Sequence, residues 1–430
     1  MRSDLETLMR DAKLDNLLVL GASSHNPAMA YFVGRAHLTY AYLLFRRGQE
    51  PVLFHGTMER EEAARTGFAT VDLAKYPMEE LLRRSQGDLL EAGALRLARI
   101  FEEYSLSGRV AVAGHAEAGA HYGLLRRLAE LVPGIELLGQ ATDRSVVVRA
   151  RATKSEDEVD RIRRMGGVTT DVVGEVAEFL RSQRAENGSL VSKDRKPITI
   201  GQVKRKIQLW LAERDAENPE GTIFAIGRDA GIPHSVGLDG DPVRLGATIV
   251  FDIFPCEAGG GYFYDFTRTW CLGEAPPEAE RAYEEVREAY RAAIGSLRAG
   301  AACRDLQLRT CDFFASRGHA TIREASDTQQ GYVHGLGHGV GLAIHESPSL
   351  SHLETNHDIL APGAVVTIEP GLYYPDRGFG VRLEDTWWIR PDGSAEVLAT
   401  FPDDLVLRMK STPKARARRR INGRKRPSNR

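Results

Sequence analysis

The chain has 430 residues, more than one ordinary domain holds, so we expect two domains. Its content of 42% hydrophobic and 27% charged residues is typical of a globular protein. The four cysteines lack a C-x-x-C spacing, which argues against a structural zinc site and a disulfide scaffold, and the absence of a signal-like or membrane-spanning apolar run predicts a cytoplasmic protein.

The first part of the chain alternates short apolar runs with helical patterns. Runs at 17–20, 42–45, 52–54 and 109–114 predict buried strands, and a helical pattern covers residues 78–104. This alternation predicts an α/β N-terminal domain over residues 1–150. Because it contains no cluster of Asp, Glu and His, we assign it a scaffolding, substrate-gating or dimerisation role.

The second part, residues 151–407, is predicted to be an α+β domain. Ser155 precedes three acids and predicts the start of a helix that runs to about residue 184. Thr199 predicts the N-cap of an amphipathic helix. Its apolar positions are Val203, Ile207, Leu209 and Leu211. From residue 222 onward β-branched and aromatic runs predict a mostly antiparallel sheet, interrupted by helices near 277–297 and 304–317.

Residues 408–430 differ from the rest of the chain because they carry eleven Lys or Arg and no acid. The remainder is acidic, since the whole chain has a formal net charge of −2. Such a segment has almost nothing to bury, which predicts a disordered basic tail. A solvated appendage is the favoured interpretation, and contact with nucleic acid is the less favoured one.

Five residues in the second part indicate a metal centre. Asp252 interrupts the apolar run IVFDIF, Asp265 lies in YFYDFTRTW, and His338 lies in the glycine-rich HGLGHGVGLAIHE. Glu369 ends VVTIEP, and Glu384 lies in GVRLED. A carboxylate inside a β-branched run should be buried, which is costly unless it is paired or bound to a cation. Four such carboxylates on strands of one domain therefore predict a common cation.

The charges suit a pair of divalent ions. Four carboxylates balance two such ions, and oxygen-rich ligation with one imidazole suits Mn²⁺, Co²⁺ or Zn²⁺. Two metals about 3.5–4 Å apart activate water and polarise a carbonyl, which predicts amide hydrolysis. Taken singly, each feature has a simpler interpretation: Glu384 could pair with Arg382 at the surface, and HGLGH could be a turn. The spacing of His334 and His338 fits a zinc pair, but the glycines around them argue against the helix it would need.

Six stretches together resemble one known family. They are GIPHSVG, VFDIFP, YFYDFTRTW, HGLGHGVGLAIHE, TIEPGLY and GVRLEDT, all within residues 222–398. This segment resembles the pita-bread metallopeptidases of family M24, which include methionine aminopeptidase, prolidase and aminopeptidase P. The first 150 residues look like a creatinase-type N-terminal domain, which favours Xaa-Pro hydrolysis. The resemblance implies a small peptide substrate, a homodimer, and two divalent metals, with Mn²⁺ favoured over Co²⁺, Zn²⁺ or Fe²⁺.

The resemblance also assigns a role to each of the five residues. Asp252 would chelate one metal, and Asp265 and Glu384 would bridge both. His338 and Glu369 would complete the other metal. Glu369 would also carry a proton from a metal-bridging hydroxide to the leaving nitrogen.

Four further residues match substrate-binding positions of the family. His234 and His345 match histidines that contact the substrate near the scissile bond and stabilise the oxyanion. Arg382 matches an arginine that orients the last glutamate or contacts substrate. His334, four residues before His338, is expected near the site or as support for the glycine turn.

Two departures from the family pattern bear on specificity. Asp252 and Asp265 lie 13 residues apart, about two more than is usual, and the extra residues fall in the turn CEAGGGY. The segment SPSLSHLETNHD after His345 has no arginine to grip a dipeptide carboxylate, which argues against strict dipeptide preference. Two other functions stay open: a creatinase- or lyase-type relative acting on a non-peptide small molecule, and a non-catalytic binding module.

Overall fold

The computed structural model describes residues 4–410. The predicted basic tail, 408–430, therefore lies outside the described residues except for its first three. Within 4–410, no helix is both long enough and apolar enough to cross a bilayer. The four cysteines are buried and free.

The first part of the chain forms one mixed sheet flanked by helices. Its strands are β1 Asn16–Gly21, β2 Ala41–Arg46, β3 Val52–His55, β4 Ala69–Asp72, β5 Gly108–Gly114 and β6 Ile135–Gly139. Its helices are α1 Leu5–Asp11, α2 Pro27–Val33, α3 Arg60–Arg65, α4 Met78–Arg84, α5 Leu89–Glu103, α6 Ala118–Leu131 and α7 Val146–Arg151. The strand order is β4-β3-β2-β1-β5-β6, with β1/β5, β3/β4 and β5/β6 parallel.

Helices cover both faces of this sheet, which explains its continuous apolar runs. Leu17 and Val19 of β1 belong to one buried cluster, and Leu18 and Leu20 belong to another on the opposite face. The predicted strands and the α/β architecture are confirmed. The edge strands β4 and β6 escaped prediction because their residues are largely half-exposed and mixed in polarity.

The predicted helix over residues 78–104 is wrong in one respect, because the structure contains two helices there. The chain between α4 and α5 turns at Gln86 and Gly87, whose φ angles are +54° and +89°. Since few residues other than glycine adopt such angles, QG ends the first helix although the apolar pattern continues.

The α-helices of the described second part are α8 Glu156–Ser182, α9 Ile200–Ala212, α10 Pro277–Ile294 and α11 Cys303–Ser316. Both predicted helix starts are confirmed. The backbone N–H and the hydroxyl of Ser155 donate to the Glu158 carboxylate, each at 2.9 Å. Thr199 Oγ1 accepts from the backbone N–H of Gln202 at 3.4 Å.

One predicted apolar position on α9 is wrong. Leu209 is 64% exposed, whereas Val203, Ile207 and Leu211 are buried. These three lie four residues apart and share one face of the helix, and Leu209 points away from that face.

The second part contains mainly antiparallel strands. They are β7 Arg184–Glu186, β8 Ser189–Val191, β9 Ala216–Glu217, β10 Thr222–Ile226, β11 Thr248–Ile253, β12 Cys256–Glu257, β13 Phe266–Leu272, β14 Gly337–Gly339, β15 Glu346–Leu350, β16 Val365–Ile368, β17 Gly371–Tyr374, β18 Phe379–Arg382, β19 Asp385–Ile389, β20 Ala395–Val397 and β21 Val406–Leu407. The main sheets are β10-β11-β13-β21 and β15-β14-β16-β19-β20, with pairs β7/β8, β9/β12 and β17/β18. The α+β prediction is confirmed, although one predicted sheet is in fact several.

The sheet that contains β13 meets the end of β18 near the start of β13. Thr267 forms an isolated antiparallel bridge with Glu384. The Thr269 hydroxyl donates to the carbonyl of Arg382 and accepts from its backbone N–H, both at 2.8 Å. These contacts place the first half of β13 beside the end of β18 and the short segment that joins β18 to β19.

The turn between β12 and β13 contacts the first part of the chain. Ser24 Oγ donates to the carbonyl of Gly259 at 3.0 Å, and the N–H groups of Gly259 and Gly260 donate to Glu217 Oε1 at 3.0 and 2.9 Å. A Cβ on Gly260, whose φ is +86°, would lie 2.4 Å from the backbone nitrogen of His25. The inserted residues therefore form a contact between the two parts that requires glycine.

Candidate metal centre

Eight of the nine predicted site residues line one cavity of about 240 Å³ in the second part of the chain. They are His234, Asp252, Asp265, His338, His345, Glu369, Arg382 and Glu384. Apolar side chains and Glu220 complete the lining. The ninth residue, His334, is half-buried and does not line this cavity.

The four carboxylates do not all lie within strands, contrary to the prediction. Asp252 lies in β11, but Asp265 immediately precedes β13, Glu369 follows β16, and Glu384 lies between β18 and β19. Side chains inside a strand alternate between the two faces of one sheet, whereas residues at strand ends are free of that constraint. Strand ends thus allow acids from separate sheets to meet at one cavity.

In three of these acids, one carboxylate oxygen accepts a hydrogen bond from the protein, and the other oxygen is left toward the cavity. Asp252 Oδ2 accepts from Arg382 at 2.5 Å, Asp265 Oδ1 from the N–H of Phe266 at 3.0 Å, and Glu384 Oε2 from Thr267 at 2.6 Å. Asp252 Oδ1 and Glu384 Oε1 are buried and have no hydrogen-bond partner within residues 4–410. Buried oxygens without partners are costly, and a bound cation would satisfy them.

His338 faces the same point. Its Nδ1 donates to the carbonyl of Gly339 at 3.1 Å, which leaves the Nε2 lone pair toward the acids. Nε2 lies 3.5 Å from Asp265 Oδ2 and 3.6 Å from Glu369 Oε1. Ligand atoms of Asp265, His338 and Glu384 lie within 4.8 Å of one another. This mixed oxygen and nitrogen donor set fits a borderline divalent ion.

Burial shifts the protonation of this cluster. It raises the pKa of Glu369 to about 8 and the pKa values of Asp265 and Glu384 well above their usual range, with neighbouring carboxylates adding to the shift. It also lowers the pKa of His338 to about 3, so this imidazole is neutral. Protons therefore tend to neutralise Asp265, Glu369 and Glu384 when no cation is bound, and divalent ions would displace them.

Arg382 is the positively charged side chain in the cavity wall, and its partner differs from the sequence interpretation. It bonds directly to Asp252 rather than to Glu384. Its Nε donates to Thr267 Oγ1 at 3.1 Å, and that hydroxyl donates to Glu384. Arg382 is 2% exposed, which excludes a surface salt bridge with Glu384.

The histidines occupy two different positions. His234 and His345 are exposed at the cavity, and the His345 ring centroid lies 4.3 Å from that of His338. His334 instead contacts Tyr373 OH at 2.8 Å, and its Nδ1 lies 4.0 Å from Glu369. His334 Nδ1 also contacts the carbonyl of Gly335 at 2.7 Å, consistent with support for the glycine turn.

Sequence reasoning missed two residues that position the acids. Thr267 links Arg382 to Glu384, and Arg268, 2% exposed, donates to the carbonyl of Glu384 at 2.7 Å and to Asp385 Oδ1 at 2.9 Å. The sequence did contain a signal for Arg268, because a charged residue inside the strand FTRTWCL is expected to be buried, as the cavity acids are. Thr267 carried no such signal.

Glu369 is expected to lower the stability of the metal-free protein as pH rises from about 4.5 to about 8. Folding raises the pKa of Glu369 to about 8, so the folded state binds more protons than the unfolded state across this range. The stability that this proton uptake contributes is lost as the pH rises through the folded pKa. We expect the Tm measured with a chelator to be lower at pH 8 than at pH 6. Glu369→Gln should flatten this decline, and equal slopes in both proteins would contradict the assignment.

The chain belongs to metallopeptidase family M24, because the sequence profile of that family matches residues 160–391, more than half of the chain. Among curated proteins, it is 31% identical over 267 residues to "Probable dipeptidase PepE" of Mycobacterium tuberculosis, a match covering 62% of this chain and 63% of that protein. It is 27% identical over 376 residues to "Xaa-Pro dipeptidase" of Pyrococcus horikoshii, covering 87% and 91%.

The fold is similar to that of solved prolidases. The prolidase from Pyrococcus horikoshii superposes with a TM-score of 0.70 at 23% identity, covering 94% of this chain and 98% of that chain. At this level of identity the likeness concerns the fold. It agrees with the predicted pita-bread architecture preceded by an N-terminal domain.

Proposed function

We propose that this protein is a dinuclear metallopeptidase that removes the N-terminal residue from Xaa-Pro dipeptides or short peptides. The observation that carries the proposal is the convergence of four carboxylates and one neutral imidazole on a single cavity, with two buried carboxylate oxygens lacking partners in the described chain. The names of the PepE and Xaa-Pro dipeptidase relatives support the choice of substrate.

Asp252, Asp265, His338, Glu369 and Glu384 would hold two divalent ions, with Mn²⁺ favoured by the oxygen-rich donor set. Bound there, the ions would supply an activated water and polarise the scissile carbonyl. Asp265, His338 and Glu384 would hold the ions together, since their ligand atoms lie within 4.8 Å of one another.

Glu369 would move the proton. It is the least buried of the four acids, with its side chain 17% exposed, and burial raises its pKa to about 8. Once divalent ions have displaced its proton, this carboxylate would be able to accept a proton from water and pass it to the leaving nitrogen. His234 and His345, at the solvent side of the cavity, would donate hydrogen bonds to the developing oxyanion.

Residues 1–150 would form the N-terminal domain and 151–407 the catalytic domain, and the protein would act as a homodimer in the cytoplasm.

The residues that line the cavity also bear on the length of the peptide substrate. Among its lining residues the one arginine, Arg382, is already bonded to Asp252, so it is not free to grip the carboxylate of a dipeptide. This supports activity on peptides longer than two residues.

A matched substrate series tests the proposal. Purified protein should hydrolyse an Xaa-Pro dipeptide or an Xaa-Pro tripeptide with added Mn²⁺, release the first amino acid, and lose activity with a chelator. A Met-Ala peptide should be cleaved at least about tenfold more slowly. Two bound metal equivalents without turnover of any peptide would favour a non-peptide small molecule as substrate, and absence of stoichiometric metal would favour a binding module.

A further inference from the structure

The wall of the cavity contains one charged residue that the proposed hydrolysis does not use. Glu220 lines the cavity with the metal-centre residues, yet it is exposed and has no place in the donor set. Within residues 4–410 it forms no hydrogen bond or ion pair. Its neighbour Glu217, by contrast, accepts from two backbone N–H groups and lies 3.3 Å from His25.

Local structure fixes Glu220 at the cavity mouth. It precedes Gly221, whose φ is +85° and whose N–H donates to the carbonyl of Asn218 at 3.2 Å. β10 starts at Thr222, and within the β10/β11 pair Ile223 lies opposite Asp252. Glu220 therefore lies two residues before β10, the strand that flanks one of the candidate metal ligands.

The cavity that Glu220 lines also has apolar side chains in its wall. The side chains of Ile223, Val236, Phe254 and Ile344 line the same cavity. An aliphatic stem can pack against such a wall while a terminal cation remains hydrated and meets a carboxylate at the rim. Long basic side chains have this combination, whereas short, acidic or purely apolar side chains lack one part of it.

We propose that Glu220 is a specificity residue that favours substrates whose first residue has a long cationic side chain, lysine or arginine. This inference rests on the proposed function, because it assigns the pocket for the residue that the enzyme removes. The carboxylate contributes charge complementarity, and the apolar wall contributes contact with the alkyl stem. The α-amino group, which every peptide carries, does not account for such a preference.

The test compares Lys-Pro-Ala with norleucyl-Pro-Ala, which has an alkyl side chain without the charge. The wild-type protein should favour the lysyl peptide in kcat/KM, and Glu220→Gln should lower this ratio about fivefold, the effect of a partly exposed ion pair. Raising salt from about 0.02 M to about 0.5 M should also lower the wild-type ratio, because exposed charges are screened. Glu220→Lys should shift preference toward a glutamyl peptide.

The control is Glu274→Gln, which removes the same charge from an exposed residue beyond the opposite end of β13. It should leave the ratio unchanged. An unchanged ratio in Glu220→Gln, with its melting temperature preserved, would overturn the inference while leaving the peptidase proposal intact.

Binding measured without turnover separates the two proposals. Calorimetry with free lysine and free norleucine on the Mn²⁺-loaded protein should show tighter binding of lysine, lost in Glu220→Gln. If no peptide is hydrolysed, the proposed function fails and this measurement still decides the role of Glu220. Equal affinity for the two amino acids would refute it.

Discussion

Asp265→Asn should lose at least one of two bound metal equivalents and lower kcat/KM by about a thousandfold or more, because hydrolysis depends on metal-activated water. The substitution preserves shape, and its amide oxygen can still accept from the N–H of Phe266. It removes the negative charge that faces His338 and the other acids. Metal content by elemental analysis and peptide turnover measure the two effects.

The same variant should change stability in opposite directions with and without metal. Burial and neighbouring carboxylates disfavour the charged form of Asp265, so the metal-free variant should melt no lower than the wild type. The increase in Tm on adding Mn²⁺ should shrink. Asp171→Asn, an exposed change on α8, is the matched control. Full metal content and full activity in Asp265→Asn would show that the assigned role is wrong.

Arg382→Met should lower the free energy of unfolding of the metal-free protein by about 3–5 kcal/mol at pH 8, the cost of leaving a buried charge without its partner. The guanidinium contacts Asp252, Thr267 and Tyr373 while it is 2% exposed. Methionine retains the apolar volume of the stem but none of these donors. Urea unfolding with a chelator measures the change.

Arg382→Lys should recover only part of this stability, because one ammonium cannot reproduce the planar set of donors. Arg205→Met, at an exposed position of α9, controls for the loss of an arginine and should change stability by less than about 0.5 kcal/mol. A loss below about 1 kcal/mol in Arg382→Met would indicate that the arginine does not stabilise the cavity acids.

The sequence predicted the composition of the site because burial of charge is a local signal. Asp252, Asp265 and Glu384 each interrupt an apolar run, and all three are buried in the structure. The family motifs then placed His234 and His345, which have no such signal of their own. The pairing of Arg382 with Asp252 escaped prediction, because it depends on how two sheets approach one another and not on spacing along the chain.

The fold, like the site, has features that local sequence signals predict and features that depend on how distant segments pack. Periodicity identified the strands whose faces are both covered, and capping residues identified the starts of α8 and α9. Periodicity could not distinguish Leu209 from its buried neighbours, nor could it show which strands share a sheet. Glu220 was missed because an acid in a turn resembles any surface acid until the chain brings it to the cavity.

The turn between β12 and β13, which contacts Ser24, has a consequence for the order in which this protein folds. The hydrogen bond from Ser24 to Gly259 spans 235 residues of sequence, and contacts of such separation form late in folding. During synthesis the first part of the chain leaves the ribosome first and can fold before the second part emerges. It would then serve as a template on which the segment between Asp252 and Asp265 settles, so that competence to capture metal arises at the last stage of maturation.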